Sequence, residues 1–131
     1  MTVLLSIKPE FAEKIFTGLK RFEFRRVIFR SPNVTTVVVY ASSPVQRVIG
    51  EFIIGGILSL DKQELWKRTR EHSGIEKEYF DLYFGGRKTA HAIEIASPKR
   101  YRRPVKLATL CESRRPPQSF CYLPTSEKRT R

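Results

Sequence analysis

Residues 9 to 25 constrain the fold of this chain most, because a helical pattern runs directly into a strand pattern. Pro9 suits the first turn of a helix, and the apolar residues after it recur at helical spacing. Gly18 suits the position just past the end of that helix. Residues 22 to 25 then read Phe-Glu-Phe-Arg, which alternates as a strand does. The segment predicts a fold that mixes strands with short helices.

The strand after Gly18 separates aromatic from charged side chains. Because successive side chains of a strand point to opposite faces, Phe22 and Phe24 share a face that we expect to be buried. Glu23 and Arg25 share the other face, and Lys20 arrives from the glycine turn. Arg25 can clamp a phosphate or a carboxylate with two hydrogen bonds, and Lys20 adds a point charge. These three residues form a candidate ligand site, although an ordinary ion pair would give the same pattern.

Strand patterns dominate the rest of the chain, with two short helices inserted between them. Asp61-x-x-Glu64 predicts the start of a helix that runs through Thr69. Ser73-x-x-Glu76 repeats that signal for a second helix, whose aromatic residues at 79, 80, 83 and 84 we assign to the core. The predicted strands cover residues 3–7, 22–29 (with a bulge or strand end at Arg26, which breaks the alternation), 34–41, 45–58 (one strand or a hairpin), 89–96 and 101–107. This pattern predicts an α+β fold, a mixed β-barrel with short helices at its ends.

The motif Gly18-x-Lys20-x-x-Glu23-x-Arg25 resembles the signature of the ASCH domain family. Further segments resemble strands of that family in the same order, so that the similarity covers roughly residues 2 to 107. They are Leu4–Pro9, Tyr40–Pro44, Val48–Phe52 and Ala90–Ile95. The resemblance implies a PUA-like β-barrel and an association with RNA.

The chain is strongly basic, with 25 Lys and Arg against 13 Asp and Glu, a formal net charge of +12 and a pI near 10.2. Such an excess favours polyanions as partners. Residues 99–131 hold ten of the basic residues and two glutamates, so this last quarter contributes +8. We expect a barrel domain over residues 1–107 and a basic, proline-containing tail over 108–131. The aromatic segment 117–123 could pack part of that tail on the barrel.

Further polar residues could contribute to the ligand site. Lys8 comes immediately before Pro9, near a helix N-terminus, where anions are favoured. A solvated lysine at a strand end is the alternative. Ser42 and Ser43 follow a predicted buried strand, and their hydroxyls could contact a phosphate, although turn chemistry also explains them. Tyr40 could stack on a base but fits a core position better. The predicted ligand site comprises Lys8, Lys20, Glu23, Arg25, Ser42 and Ser43.

No catalytic or metal-binding motif stands out in the sequence. His72 and His91 have no partner at metal-ligand spacing, and the ten-residue spacing of Cys111 and Cys121 is no zinc pattern. We therefore predict free thiols, with a disulfide as the less favoured alternative, and neither metal nor cofactor. One enzymatic branch of the ASCH family removes acetyl groups from modified cytidine and has a threonine where this chain has Glu23. A threonine hydroxyl can act as a nucleophile, and a glutamate cannot replace it in that role.

These observations favour an ASCH domain that binds RNA or a nucleotide in a basic cleft around Lys20, Glu23 and Arg25. The alternative is a small hydrolase that acts on RNA or on a modified nucleoside, as an acetylated-cytidine amidohydrolase does. Lys20 and Glu23 would then be its catalytic pair. A DNA-binding regulator is disfavoured because no helix-turn-helix signature is present. No secretory segment or apolar run of membrane-spanning length occurs, so we expect a cytoplasmic protein without a membrane partner.

Overall fold

A six-stranded mixed sheet with short helices around it forms the framework of the protein. The computed structural model describes residues 1–111 and 120–123. The strands are β1 (Thr2–Ile7), β2 (Phe22–Arg25), β3 (Thr36–Ala41), β4 (Arg47–Leu60), β5 (Ala90–Val105) and β6 (Phe120–Leu123). The helices are α1 (Pro9–Thr17), α2 (Lys62–Thr69), α3 (Lys77–Phe84) and α4 (Leu107–Leu110), with a 3₁₀ turn at Arg70–His72. Within the described ranges, no helix is long and apolar enough to span a membrane.

The sheet is open at one side. Its strand order is β2-β5-β4-β3-β1-β6; β1 and β3 are parallel, and all other neighbours are antiparallel. The expected α+β fold with short helices is confirmed. The sheet is not closed into the expected barrel, because its edge strands β2 and β6 each have four residues and do not pair with each other. The opening is the feature that positions the candidate site.

Several strand boundaries differ from the sequence pattern. Strand β2 ends at Arg25, in agreement with the break in alternation at Arg26, rather than continuing to residue 29. Strands β4 and β5 are continuous over 14 and 16 residues, so that the predicted strands 89–96 and 101–107 are parts of one element. The pairing register between β4 and β5 shifts along the ladder, and these irregularities let both strands continue past the glycines of β4. The glycines of β4 therefore bend the strand without dividing it.

The helix termini follow local sequence rules with one exception. Gly18 adopts a left-handed conformation (φ +86°) at the end of α1, which glycine tolerates without strain. The side chain of Asp61 accepts a 2.9 Å hydrogen bond from the Glu64 amide and caps α2. Ser73 does not cap α3, which begins at Lys77. Its hydroxyl instead bonds within the preceding turn, to the Arg70 and Ile75 carbonyl oxygens.

Three apolar clusters hold these elements together. The first packs α1 against one face of the sheet through residues such as Ile15, Leu5 and Phe52. The second contains Tyr40, which is 4% exposed and therefore a core residue, as the sequence favoured. The third joins Phe24 of β2 to α2 and α3. The first cluster therefore attaches α1 to the sheet and the third attaches α3, and both helices border the open side.

Part of the C-terminal segment belongs to the sheet. Strand β6 pairs antiparallel with β1, and Leu123 is buried in the second cluster. The remainder of the predicted tail, residues 112–119 and 124–131, lies outside the described residues. The proposed division of the chain at residue 107 stays a prediction.

Candidate functional site

A cleft of about 180 Å³ lies at the open side of the sheet, where β2 faces the end of β1. Helices α1 and α3 contribute the remaining walls. The described residues that line it are Ser6, Ile7, Lys8, Phe11, Lys20, Glu23, Phe24, Arg25, Arg26, Ile75, Tyr79 and Tyr83. Four of the six residues predicted for the ligand site therefore lie in one concavity.

A buried carboxylate flanked by two cations lies in this cleft. Glu23 Oε1 lies 3.8 Å from Lys20 Nζ, and Glu23 Oε2 lies 3.4 Å from Arg25 Nη1. The three residues are 2% (Lys20), 6% (Glu23) and 8% (Arg25) exposed. Ions so far removed from water are costly unless they are paired, and Glu23 can offset only one unit of the positive charge. The group keeps a surplus positive charge that an anionic ligand would balance.

Lys20 is held more tightly than its place in a turn suggested. Its ammonium donates to the Ser73 carbonyl oxygen at 2.9 Å and lies 4.8 Å from the centre of the Phe24 ring and 5.5 Å from that of Phe11. Lys20 therefore lies against aromatic side chains, because residue 20 precedes the strand and does not follow its alternation. Burial lowers the pKa of Lys20 to about 8, although Glu23 opposes the shift. This amine can therefore exchange its proton near neutral pH.

Arg25 bridges the opening of the sheet. Its Nη1 donates to the Ser6 carbonyl oxygen of β1 at 3.5 Å while it also contacts Glu23. The side chain thus crosses from β2 to β1 where no strand ladder connects them. The guanidinium is thus anchored on two sides within the cleft lining.

Two tyrosines of α3 form an aromatic wall that the sequence pattern assigned to the core. Tyr79 and Tyr83 lie one helical turn apart with their rings nearly parallel, at 6.3 Å between centroids and 11° between planes. Phe80 and Phe84, on the adjacent face of the helix, are each 1% exposed and do form core. The signal that could have separated them is chemical, because only the tyrosines carry hydroxyls that need polar surroundings.

A cation packs on each of these tyrosine rings. Lys8 Nζ lies 5.1 Å from the Tyr79 ring centre, and the guanidinium carbon of Arg26 lies 4.8 Å from that of Tyr83. The backbone amide of Arg26 also donates to the Tyr83 hydroxyl at 3.3 Å. Arg26 was not among the predicted site residues, because in the sequence it marks only the end of a strand. The cleft thus combines four cations, one carboxylate and an aromatic wall.

Ser42 and Ser43 are not among the residues that line the cleft. The Ser42 amide donates to the carbonyl oxygen of Ile7, which is a lining residue, at 2.9 Å. Ser42 therefore lies beside the cleft margin, and a role for either hydroxyl in binding stays a prediction.

No histidine or cysteine is among the described residues that line this cleft. His91 forms a 2.7 Å hydrogen bond with the Ser59 hydroxyl, and burial, with nearby Arg87, lowers its pKa. Cys111 and Cys121 are free thiols. In the portion of the chain that the structure describes, no three His, Cys, Asp or Glu side chains are grouped as metal ligands.

Comparison with known proteins gives consistent relationships. The family profile of the ASCH domain matches residues 5–99. The ASCH domain-containing ribonuclease of Zymomonas mobilis is 33% identical over 127 residues, which cover 95% of this chain and 85% of that protein. The crystal structure of ASCH from Zymomonas mobilis superimposes with a TM-score of 0.86 at 32% identity, covering 98% of this chain and 91% of that one.

A further relative is much longer than this chain. A Ureaplasma parvum protein named ATP synthase subunit alpha is 36% identical over 127 residues, and the chain spans 15% of its length. Because the family profile covers most of the chain and the Zymomonas mobilis protein matches nearly all of it, the chain belongs to the ASCH domain family.

Proposed function

We propose that this protein binds single-stranded RNA and holds one nucleotide in the cleft. The observation that carries the proposal is the convergence of Lys20, Glu23 and Arg25 in a cleft that Tyr79 and Tyr83 also line. Unpaired bases can stack on aromatic side chains, whereas the bases of a duplex have their faces covered. The ribonuclease name of the Zymomonas mobilis relative supports RNA as the partner.

Each part of the cleft has a task in this proposal. Arg25 and Lys20 attract the phosphate, with Arg25 providing directed donors and Lys20 a charge that the ligand would stabilise. Both Glu23 oxygens face these cations, so Glu23 holds the pair in place rather than reading the base. A base lies against the Tyr83 side of the wall, where Arg26 already stacks and can move aside.

Fluorescence anisotropy with a labelled ten-nucleotide RNA tests this proposal. Tyr83→Leu should weaken binding by about tenfold or more, because stacking of one base contributes about 1–3 kcal/mol. Leu82→Ala is the matched control, since Leu82 is on the same helix and 84% exposed, and it should bind as the wild type does. Arg25→Gln should weaken binding also to a nucleoside monophosphate. The proposal fails if the wild type does not bind RNA in low salt, or if Tyr83→Leu binds unchanged.

Cleavage of the bound RNA is the second candidate, favoured by the name of the relative and by the lowered pKa of Lys20. Glu23 would accept the proton of a ribose 2′-hydroxyl, whose oxygen then attacks the adjacent phosphorus. The bond from phosphorus to the 5′-oxygen breaks, and the Lys20 ammonium protonates that leaving oxygen. The products are a 2′,3′-cyclic phosphate and a 5′-hydroxyl. Arg25 would stabilise the charge on the phosphate during the transfer.

Gel electrophoresis of incubated RNA distinguishes a binder from a nuclease. If the protein is a nuclease, Lys20→Met should not cleave RNA. The wild type should not cleave an oligonucleotide of the same sequence in which every sugar is 2′-deoxyribose. The rate of RNA cleavage should fall as pH rises above about 8. Cleavage that persists in Lys20→Met would count against the mechanism. Acetylated cytidine should remain unchanged in chromatography of the same incubations, because Glu23 stands where a threonine nucleophile would be needed.

A further inference from the structure

A second basic concavity lies at the end of β5, apart from the cleft residues. It encloses about 490 Å³ and is lined by Arg102, Arg103, Pro104, Val105, Lys106 and Thr109. We call these residues the basic groove. Its three cations are exposed at the surface, and none of its described lining residues is acidic.

An irregularity in the sheet presents the arginines of the basic groove. Val48 and Gly50 of β4 are two residues apart, but their partners on β5, Val105 and Arg100, are five apart. The extra residues of β5 therefore bulge from the ladder. Tyr101 turns inward and is 7% exposed, whereas the two arginines after it remain outside. Bulges of this kind re-aim side chains and are frequent beside functional sites.

The groove cations have no ion-pair partner within residues 1–111 and 120–123, in contrast to three exposed cations elsewhere in the protein. Arg68 pairs with Glu64 at 2.8 Å, and Lys77 pairs with Asp81 at 2.7 Å. Arg100, on the same strand as the groove, is paired with Glu13. The groove thus concentrates three uncompensated charges within five residues, which favours a polyanionic ligand over a neutral one.

The β1 side of the cleft and the basic groove occur at the same end of strands β1, β3 and β4, whereas β2, on the other side of the cleft, pairs with the start of β5. Ile7, which lines the cleft, pairs with Ala41, and Ala41 pairs with Arg47 at the start of β4. Val48 then pairs with Val105 of the groove. Three strand spacings of about 4.8 Å separate β1 from β5, which is roughly 14 Å. A short single strand can span this distance, since single-strand-binding domains of the OB fold cover about 4–16 nucleotides.

We propose that the basic groove binds the phosphodiester backbone of the same RNA strand whose nucleotide occupies the cleft. This inference rests on the proposed function. The groove holds phosphates and does not read bases, because its cations are hydrogen-bond donors to phosphate and none of its described lining residues is aromatic. It lengthens the bound RNA beyond a single nucleotide and supplies much of the salt-dependent affinity.

The test compares a nucleoside monophosphate with a ten-nucleotide RNA across a salt series. The variant carries Arg102→Gln, Arg103→Gln and Lys106→Gln together; these residues are exposed, so the fold should persist in circular dichroism. The salt slope of the ten-nucleotide RNA should fall by about 2, at about 0.7 per phosphate contact, and its Kd should rise at least about tenfold in low salt. Binding of the monophosphate should change less than about twofold.

A triple variant of α2 and the turn after it provides the matched control. Lys67→Gln, Arg68→Gln and Arg70→Gln remove the same charge from exposed positions, and the salt slope should change much less. Equal losses in both triple variants would overturn the groove proposal, because net charge alone would explain them. If the groove variant loses affinity but Arg25→Gln does not, the cleft proposal fails and the groove does not share a strand with it. If Arg25→Gln alone loses affinity, the cleft stands and the groove proposal falls.

Discussion

At the scale of single residues, Lys20 determines the character of the cleft. Its ammonium is almost completely removed from water and lies between two phenylalanine rings. Desolvation opposes its charge, while Glu23 and the Ser73 carbonyl oxygen partly compensate. The result is a lysine with a pKa of about 8 that still carries its proton at neutral pH for most of the time. An anion placed beside this amine would favour its charged form.

The burial of Lys20 predicts how stability changes with pH. An unfolded lysine has a pKa near 10.4, so between pH 8 and 10.5 the unfolded chain binds more protons and stability rises with pH. The loss of stability caused by burying the Lys20 ammonium is fully present below pH 8. It disappears between pH 8 and 10.5, as the lysine of the unfolded chain also loses its proton. Between pH 7 and 9.5 the wild type should therefore gain about 2 kcal/mol relative to Lys20→Met. Urea unfolding of both proteins at the two pH values measures this difference, and a difference that does not vary with pH would contradict it.

At the scale of elements, the turn between the 3₁₀ segment and α3 holds Lys20 in place. Ser73 accepts from Lys20, the Gly74 carbonyl oxygen accepts from Lys14 at 2.9 Å, and the His72 carbonyl oxygen accepts from the Arg21 amide at 2.8 Å. Gly74 has φ +71°, and a Cβ there would lie 2.6 Å from Lys20 Cβ. A glycine is required both for the backbone conformation and for the close approach.

Gly74→Ala should therefore disturb the cleft although no charged residue is replaced. The strained backbone and the contact with Lys20 should cost about 1–3 kcal/mol of unfolding free energy. Affinity for RNA should fall, because the turn can no longer hold the ammonium in the cleft. Gly86→Ala is the control, since nothing lies within 4 Å of a Cβ at that position and its φ is ordinary. Thermal melts and anisotropy on both variants measure the two effects; equal behaviour of the variants would refute this role of the turn.

At the scale of the whole molecule, the sheet is completed by a strand from the C-terminal segment. Strand β6 pairs with Thr2–Leu5 of β1 and leaves Ser6 and Ile7 to line the cleft. Leu123 of β6 is 9% exposed and belongs to the second apolar cluster. The segment after residue 107 therefore contributes to the core as well as to the charge of the protein.

Two truncations separate these contributions. Ending the chain after Cys111 removes β6 and should lower stability by about 2–4 kcal/mol, the range for loss of a buried leucine with its packing. Ending it after Pro124 removes Lys128, Arg129 and Arg131 but keeps β6, so stability should be retained while the salt dependence of RNA binding decreases. Thermal melts and salt titrations distinguish the outcomes. Equal stability of the two truncations would contradict the role of β6.

Features that depend on neighbours in the chain could be predicted from the sequence. Helix α1 with Gly18 at its end, the cap of α2 at Asp61 and the break at Arg26 all follow from local backbone preferences. The alternation of aromatic and charged residues in β2 also singled out Glu23 and Arg25, because residues two apart in a strand lie on the same face. The motif around them indicated the family before any fold was known.

Features that depend on distant segments were decided by the tertiary structure. The open side of the sheet results from strands far apart in sequence, and neither edge strand contains a signal that it lacks a partner. Which aromatic residues of α3 line the cleft and how deeply Lys20 is buried depend on the positions of α1, α3 and the turn at Gly74. The backbone preferences of a short segment follow from its own sequence, whereas burial and the proximity of charges arise only when remote segments pack together. For this reason the sequence singled out Lys20, Glu23 and Arg25, whereas the packing of the chain determined which further residues surround them.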